Sequence, residues 1–231
     1  MNYSGTDNLE VMAEAVNYNE YLVKLVLAHS SAGDRILDFG AGIGTFSKCI
    51  AKRGHEVLCV EPDPKQASLI TESGLTAYNN LSHIENNSID YLYSLNVLEH
   101  IENDQDIMNE IYNKIKPGGR LLVYVPAFQL LYSSMDTKVG HYRRYTRRSL
   151  TNVARRAGFE VLKTRYVDSA GFFATLLYKF FGNSSGDLNT RALIVYDRLV
   201  FPMSRVADRL SGLFFGKNVF LVGVKREHAA I

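Results

Sequence analysis

Three glycines and an acidic residue near position 40 have the types and spacing of a nucleotide-binding turn. Gly40, Gly42 and Gly44 follow an apolar run, and Asp38 stands two positions before the first glycine. Closely spaced glycines let backbone N–H groups approach a polar ligand. The dinucleotide fingerprint has a further glycine where Thr45 stands here. A carboxylate at Asp38 would repel a pyrophosphate and attract a cation, so the pattern favours a nucleoside-type ligand that carries positive charge.

Glu61 ends the next apolar run of the chain. A carboxylate at the end of a second strand can accept hydrogen bonds from both hydroxyls of a ribose. The plainer alternative is that the glycines only permit a tight turn and that Glu61 is a solvated acid. The combination of the turn, Asp38 and Glu61 favours the ligand site.

A second set of chemically capable residues lies between positions 132 and 148. Four arginines occur within six residues, from Arg143 to Arg148, and they follow His141. An arginine fork is suited to a carboxylate or phosphate, and a histidine can take a proton near neutral pH. We therefore expect His141 to be catalytic, while Arg147 and Arg148 are equally consistent with a solvated first turn of a helix. The expected acceptor-binding residues are His100, Tyr132, Tyr142, Arg143, Arg144 and Tyr145.

Apolar runs alternate with helical patterns through about the first 160 residues, which is the spacing of βαβ units. The predicted strands are 35–39, 56–60, 75–78, 89–95, 120–125, 159–167 and 218–225. The predicted helices include 9–28, 45–53, 64–72, 104–115 and 146–157. This order predicts an α/β fold with a doubly wound, mostly parallel, seven-stranded Rossmann-like sheet and a helical insertion between the last two strands.

The domain organisation follows from these elements. Residues 1–30 form a leading helical cap, residues 31–168 and 217–231 form the ligand-binding sheet domain, and residues 169–216 form the insertion. The insertion is rich in Phe, Leu and Tyr and carries interleaved arginines. Four interpretations stay open for it: a lid over the acceptor, a contact with a second subunit, a contact with a membrane surface, or completion of the core.

Four segments carry a resemblance to the class I S-adenosylmethionine-dependent methyltransferases. They are ILDFGAGIG at 36–44, VEPD at 60–63, NVLEHI at 96–101 and IKPGGRL at 115–121. The resemblance covers roughly residues 20–168. Residues 132–148 also resemble a subgroup with a Tyr-Ser-x-x-Asp signature followed by Gly-His-x-Arg-Arg-Tyr. Members of this subgroup often accompany enzymes of surface polysaccharides and polyprenol-linked sugars.

The resemblance implies S-adenosyl-L-methionine as cofactor, S-adenosyl-L-homocysteine as product, and no metal. It places the methionine part of the cofactor beside Leu95 and Asn96, and the adenine beside Asn80. Many members have Asp at that last position, so Asn80 is a departure. Tyr18 is expected either to close over the cofactor or to be an ordinary packing residue. The full set of expected cofactor contacts is Tyr18, Asp38, Gly40, Ala41, Gly42, Gly44, Glu61, Pro62, Asn80, Leu81, Leu95 and Asn96.

Composition limits the partners and the compartment. The formal net charge is +2, so nothing in the overall charge favours a nucleic acid, although the cluster at 143–148 keeps an RNA methyltransferase as an alternative. Two cysteines and a polar N-terminus predict a cytoplasmic protein, with peripheral contact with the inner membrane face and a homodimer as open options.

The expected reaction is direct in-line methyl transfer to oxygen or nitrogen of a small-molecule, lipid-linked or sugar-linked acceptor with an anionic group. The Glu99-His100 pair either orients this acceptor or stabilises its loop. Two further functions stay open. One is a protein that binds the cofactor without transfer, and the second is a nucleotide-dependent oxidoreductase, which Asp38 and the glycine spacing disfavour.

Overall fold

The computed structural model describes residues 11–12, 14–181 and 190–227, and a seven-stranded sheet forms its centre. The strands are β1 (Arg35–Phe39), β2 (Glu56–Val60), β3 (Thr76–Tyr78), β4 (Ile89–Leu95), β5 (Ile115–Pro126), β6 (Glu160–Val167) and β7 (Asn218–Val224). Their order across the sheet is β3-β2-β1-β4-β5-β7-β6. β1 to β5 run parallel, and β7 is antiparallel to both β5 and β6. The predicted α/β fold with a mostly parallel sheet is confirmed.

The strand order creates a crevice at the carboxyl edge of the sheet. β1 pairs with β2 on one side and with β4 on the other, so the chain leaves the ends of β1 and β4 in opposite directions. Ligands of open α/β sheets bind at such a switch point. The glycine turn follows β1 and the 96–101 segment follows β4, so the fold brings the two motifs to this crevice.

Helices cover the sheet and supply two hydrophobic cores, one on each face. They are α1 (Val16–Leu27), α2 (Thr45–Ala51), α3 (Pro64–Thr71), α4 (Asp104–Lys114), α5 (Ser134–Val139), α6 (Arg147–Arg156), α7 (Ser169–Phe181), α8 (Thr190–Val195) and α9 (Phe201–Ser211). Alternate residues of each strand point to opposite faces, so Leu37 and Leu121 enter one core while Ile36 and Leu122 enter the other.

Three details differ from the sequence predictions. In the predicted leading helix, residues 11–12 are helical, 14–15 are not, and α1 runs from Val16, while positions 9, 10 and 13 lie outside the described residues. Strand β5 begins at Ile115, because this residue already pairs with Ile89 of β4, so α4 ends directly in a strand. Helix α5 was not predicted. It begins after Ser133, which forms a capping box with Asp136.

The 169–216 insertion is held to the rest of the chain by two buried aspartates. Asp197 accepts hydrogen bonds from the backbone N–H groups of Asn17 and Tyr18, at 2.9 and 2.8 Å. Asp208 accepts from the backbone N–H groups of Asp168 and Ser169, both at 2.9 Å. The insertion therefore fixes the start of α1 beside the end of β6. Among the described residues, no helix combines the length and apolar character needed to cross a membrane.

Candidate active site

The glycine turn lies where β1 meets α2 and adopts backbone angles that suit glycine. Gly40, Gly42 and Gly44 have φ values of +79°, +56° and +78°. The N–H groups of Gly40 and Ala41 both donate to the carbonyl oxygen of Val60, at 2.8 and 3.1 Å. A Cβ at Gly40 would collide with the side chain of Val97, so this glycine lets the 96–101 segment approach the turn.

Glu61 fastens the glycine turn to the end of β2. Its carboxylate accepts hydrogen bonds from the N–H groups of Gly42, at 2.7 Å, and Asp63, at 2.9 Å. Burial raises the pKa of Glu61, and the two backbone hydrogen bonds oppose this rise. The two bonds fall on different oxygens, and each carboxylate oxygen can accept a second bond. The carboxylate therefore keeps capacity for two hydroxyl groups.

A cleft of about 630 Å³ opens beside Glu61, between the ends of β2 and β3. Pro62 lies in its wall, and its contact with the cofactor stays a prediction. Asn79 also lines it and was not predicted, whereas the side chain of Asn80 caps a short 3-10 turn by accepting from the N–H of Ser82 at 2.9 Å. Leu81 is buried in the core. Contacts of Asn80 and Leu81 with adenine stay predictions. The residues lining the cleft are Glu61, Pro62, Pro64, Ala67, Ala77, Tyr78, Asn79 and His83.

Asp38 is enclosed beneath the glycine turn. It is 2% exposed, and its carboxylate accepts hydrogen bonds from the hydroxyls of Ser47 and of Tyr93, the latter at 2.7 Å. Burial raises its pKa to about 7, against the effect of these two hydrogen bonds. The side chain thus ties β1 to α2 and β4, and its direct contact with a ligand cation stays a prediction.

The end of β4 forms the opposite wall of the crevice. Asn96 follows Leu95 with a φ of +56°, a strained value for a residue with a side chain. Its N–H donates to the carbonyl of Tyr124 at 2.7 Å. The hydroxyl of Tyr18 is hydrogen-bonded to the side chains of Asn96 and Tyr124, and its ring packs on Phe201 at 5.5 Å between centroids. Tyr18 therefore lies beside Asn96, and its closure over the cofactor stays a prediction.

A charged cluster lies beyond the ends of β4 and β5, and we call it the Asp136 network. It consists of Glu99, His100, Asp136, His141 and Arg144. Asp136 is 1% exposed and accepts from Nε and Nη2 of Arg144, at 2.8 and 2.9 Å. Its carboxylate also contacts Nδ1 of His141, at 2.7 Å, and accepts from the N–H of Ser133, at 2.9 Å. Burial would raise the pKa of Asp136, but the hydrogen bonds from His141 and Arg144 hold it well below its usual range.

His141 is consequently oriented through one ring nitrogen. Nδ1 faces Asp136, while Nε2 lies 3.9 Å from Oε1 of Glu99. Glu99 is completely buried, and neither carboxyl oxygen has a hydrogen-bond partner among the described residues. Burial raises the pKa of Glu99 to about 8, so this carboxyl carries a proton at neutral pH. A buried carboxyl with no partner among the described residues, in front of a fixed histidine, is a candidate for contact with a bound group.

His100 is the remaining member of the Asp136 network. Its ring contacts that of His141 at 4.5 Å between centroids, and it is hydrogen-bonded to backbone groups of residues 139 and 140. Burial, together with the neighbouring His141 ring, lowers the pKa of His100 to about 4, so His100 is neutral at pH 7. Ligand atoms of Glu99, His100 and His141 lie within 4.8 Å of one another, a spacing at which these side chains could hold a metal ion.

The two predicted anion-binding arginines already have anionic partners. The side chain of Arg144 is 5% exposed in its two-bond pair with Asp136. Arg143 pairs with Asp104 at 3.2 Å and donates to the carbonyl of Glu102. Binding of an acceptor anion by either arginine would require these pairs to open or to share their hydrogen bonds.

The three predicted tyrosines have different surroundings. Tyr132 donates to the backbone carbonyl of His141 at 2.6 Å, which braces the histidine. Tyr145 is buried and donates to Asp104 at 2.7 Å, and its pKa is raised by burial and by that carboxylate. Tyr142 is 52% exposed. Its side chain is the most accessible of the three to an incoming molecule.

Sequence reasoning gave no role to two residues at this end of the sheet, Asp136 and Lys217. Asp136 does stand in the Tyr-Ser-x-x-Asp part of the subgroup signature, and the Ser133-x-x-Asp136 spacing is also typical of a helix cap. Lys217 precedes β7; its N–H donates to Asp168, and its carbonyl accepts from Ala127, at 2.9 and 2.8 Å. No local pattern predicts its position, because Asp168 and Ala127 are distant in sequence.

A family model described as a methyltransferase domain matches residues 12–164, which is more than half of the chain. The chain therefore belongs to this methyltransferase family. The match contains both the glycine turn and the Asp136 network. It ends within β6, before the insertion begins.

Curated relatives agree with this assignment. An uncharacterized methyltransferase of Mycobacterium sp. (strain KMS) is 28% identical over 128 residues, which cover 50% of this chain and 51% of that protein. A probable S-adenosylmethionine-dependent methyltransferase of Mycolicibacterium smegmatis is 27% identical over 145 residues, which cover 60% of this chain and 56% of that protein. The chain thus spans about half the length of the curated relatives it matches.

Solved structures show the same fold. Phosphoethanolamine N-methyltransferase 2 of Haemonchus contortus, in complex with S-adenosyl-L-methionine, superimposes with a TM-score of 0.62 and 19% identity. The match covers 91% of this chain and 53% of that protein. A possible histamine N-methyltransferase of Thermotoga maritima gives a TM-score of 0.59 at 18% identity and covers 96% of this chain and 91% of that one.

Proposed function

We propose that this chain transfers a methyl group from S-adenosyl-L-methionine to an oxygen or nitrogen of a small or lipid-linked acceptor that carries an anionic group. A lone pair of the acceptor attacks the methyl carbon as the carbon–sulfur bond breaks, and the bonding electrons remain on sulfur. S-adenosyl-L-homocysteine leaves, and the acceptor loses a proton. Because the sulfonium is already activated, the protein mainly has to align the reactants and exclude water.

The cofactor half of the proposal rests on Glu61 and the cleft beside it. Adenosine occupies the cleft, and the ribose hydroxyls donate to the remaining lone pairs of Glu61. The methionine part crosses the glycine turn toward Asn96 and Tyr18. Support comes from the hydrogen bond between Glu61 and the Gly42 N–H, which already fixes the carboxylate at the turn. It also comes from the family assignment.

One observation carries the acceptor half: His141 is fixed by Asp136 while its Nε2 faces a buried, unpartnered carboxyl. In this arrangement Nε2 accepts the proton of an acceptor hydroxyl or ammonium group. Asp136 selects the tautomer and stabilises the protonated ring, and Arg144 keeps Asp136 ionised. Glu99, being neutral, is able to donate a hydrogen bond to the acceptor.

Lys217 is the residue that we assign to the anionic group of the acceptor. It is half-buried, and its ammonium forms no hydrogen bond or ion pair with a described residue. Burial lowers its pKa, and the charges of Asp168 and Asp136 oppose this change. Both carboxylates are engaged elsewhere: Asp168 accepts from Tyr196 and Ser204, and Asp136 from His141 and Arg144. A confined cation with no partner of its own is suited to an incoming anion.

A labelled-methyl assay tests the acceptor half. Full-length protein is incubated with S-adenosyl-L-methionine carrying a labelled methyl group and a small-molecule extract of the source cells, and products are separated on an anion exchanger. We expect label in an anionic product, and a loss of turnover of about 10²- to 10⁴-fold in His141→Ala. His55→Ala, a change near the amino end of β2, is the matched control. Cofactor binding without label in any small molecule contradicts the proposal.

The role of Lys217 is tested with the labelled product once it is purified. Lys217→Met should raise the KM for that acceptor about ten- to a hundredfold, because a charge-assisted hydrogen bond contributes about 1.5–3 kcal/mol. Lys52→Met, at an exposed position at the end of α2, should leave it unchanged. An unchanged KM in Lys217→Met, or a product without an anionic group, would remove Lys217 from the site while leaving methyl transfer itself intact.

A further inference from the structure

Helix α7 leaves an apolar face uncovered. Phe173, Leu177 and Phe180 are 54%, 59% and 68% exposed. Their spacing of four and three residues places them on one side of the helix. Single exposed apolar residues are common in proteins, but a complete apolar face marks an interaction surface.

Helix α9, which packs against α7, has a second uncovered face. Met203, Val206 and Leu210 are 74%, 63% and 82% exposed, again at spacings of three and four residues. The opposite side of the helix is the inner one, since Phe201 and Asp208 are buried. The exposed side therefore faces away from the sheet and from the Asp136 network, which excludes a lid role for these three side chains.

Acidic groups of the insertion point inward. Asp197 is 2% exposed and is occupied by the N–H groups of Asn17 and Tyr18. Asp208 is 5% exposed and is occupied by backbone N–H groups and by Arg205. The remaining acid of the 169–216 segment, Asp187, lies outside the described residues.

Three arginines of the insertion point outward. Arg191, Arg198 and Arg209 are exposed, and none of them forms an ion pair with a described residue. Arg209 lies in α9, which carries one of the apolar faces, whereas Arg191 lies in α8 and Arg198 in the turn of residues 196–200 that joins α8 to α9. Exposed apolar residues mixed with unpaired cations are the composition of a helix that rests at the surface of an anionic bilayer.

We propose that the uncovered faces of α7 and α9 bind the surface of a membrane that contains anionic lipids. The apolar side chains enter the interface, and the three arginines lie at the headgroups. Charge decides between this occupant and a second copy of the chain, because pairing two copies through this surface would bring like-charged arginines together. The inference does not depend on the proposed function.

The membrane-facing surface adjoins the loop that leads from β5 to the Asp136 network. Nζ of Lys179 in α7 donates to the backbone carbonyl of Leu130 at 2.7 Å, and Leu130 is itself 58% exposed. Helix α7 thus rests against the loop whose continuation carries Asp136 and His141. A protein held at a membrane in this way would meet amphiphilic molecules beside that loop.

Vesicle flotation of the full chain tests the proposal. One set of vesicles contains phosphatidylcholine alone, and the other contains phosphatidylcholine with phosphatidylglycerol. We expect binding to the second set, and a loss of at least about tenfold in Met203→Ser/Leu210→Ser. Arg198→Gln/Arg209→Gln should bind about tenfold or more weakly, since each cation near such a surface contributes roughly a fivefold factor. All the substituted side chains are exposed, so circular dichroism should show intact folding.

Matched controls lie on the sheet domain. Leu69→Ser in α3 and Arg156→Gln in α6 also change exposed side chains, and both should bind like the wild type. Failure to bind anionic vesicles, or equal weakening by the controls, would overturn the proposal. If the protein does not bind vesicles but forms a dimer in light scattering, and Leu210→Asp dissociates this dimer, the surface is assigned to a second copy of the chain. Equal binding to both sets of vesicles would overturn the role of the arginines.

Discussion

The glycine turn with Glu61 and the Asp136 network lie at the same edge of the sheet but are built differently. The turn is held by backbone N–H groups and one carboxylate, over a span of 22 residues from Gly40 to Glu61. The Asp136 network joins side chains from two segments, 99–100 and 136–144, which meet only in the folded protein. The first therefore works as a backbone cradle, whereas the second works through matched charges.

This difference separates what each region can do. A backbone cradle recognises a constant part of a ligand, since its geometry changes little with the side chains around it. A network of paired charges is specific and sensitive, because removing one member leaves another buried and unmatched. We expect the glycine turn with Glu61 to bind the cofactor and the Asp136 network to bind the acceptor.

The largest expected effect is on stability, from Asp136→Asn. This change leaves the guanidinium of Arg144, whose side chain is 5% exposed, without its charge partner. Breaking one side of a buried pair costs about 3–5 kcal/mol of unfolding free energy. Urea unfolding measures it, and cofactor affinity of the folded fraction should stay at the wild-type value.

Two variants make this prediction decisive. Asp106→Asn changes an exposed acid in the first turn of α4 and should cost less than about 1 kcal/mol. The double variant Asp136→Asn/Arg144→Met should recover part of the loss, because it removes both charges together. If the two single asparagine variants lose equal stability, the paired-charge description of this region is wrong.

A smaller effect is expected in the glycine region from Glu61→Gln. The amide keeps the size of the side chain but has only one accepting oxygen, so the bonds from Gly42 and Asp63 compete with the ribose. Affinity for S-adenosyl-L-methionine should fall about ten- to a hundredfold, equivalent to about 1.5–3 kcal/mol. Calorimetric titration measures it, with the exposed Glu72→Gln as control. Unchanged affinity would remove the ribose contact from Glu61.

A pH dependence of stability is expected from Glu99. Its pKa is raised from 4.5 to about 8 in the folded protein. Below pH 4.5 the carboxyl is protonated in both states. Between pH 4.5 and 8 the unfolded chain releases this proton and the folded chain keeps it, so the stability contributed by this group falls as pH rises. The titratable and charged groups that face Glu99 are His100, Asp136, His141, Arg144 and Tyr145.

The measurement compares unfolding free energies of the wild type and Glu99→Gln across this pH range. Subtracting the two unfolding free energies isolates the contribution of Glu99, because the contribution of His100 is common to both proteins. The subtraction is needed because burial lowers the pKa of His100 to about 4, so His100 makes stability rise with pH. The difference between the two proteins should change steadily from pH 4.5 to 8 and then level off. Glu102→Gln, at an exposed position, should show no such difference; a flat curve for Glu99→Gln as well would contradict its buried, neutral state.

The sequence predicted the glycine region well because its signals are local. Glycines at positions 40, 42 and 44, and an acid at the end of the second strand, follow from turn geometry and strand order. The acceptor region was predicted only as a set of residue types. His141 and Arg144 were singled out, but no local pattern shows that Asp136 neutralises Arg144. Nor does one show that the Lys217 ammonium has no partner among the described residues, since both facts depend on loops that meet in three dimensions.

Equilibrium titration of the wild-type protein with S-adenosyl-L-methionine, set beside an identical titration with NAD, is the most direct test of the central claim. The glycine turn follows the buried Asp38 and is fastened by Glu61. We therefore expect the protein to bind S-adenosyl-L-methionine at a single saturable site and to bind NAD far more weakly. No saturable binding of S-adenosyl-L-methionine, or equal affinity for NAD, would contradict the account.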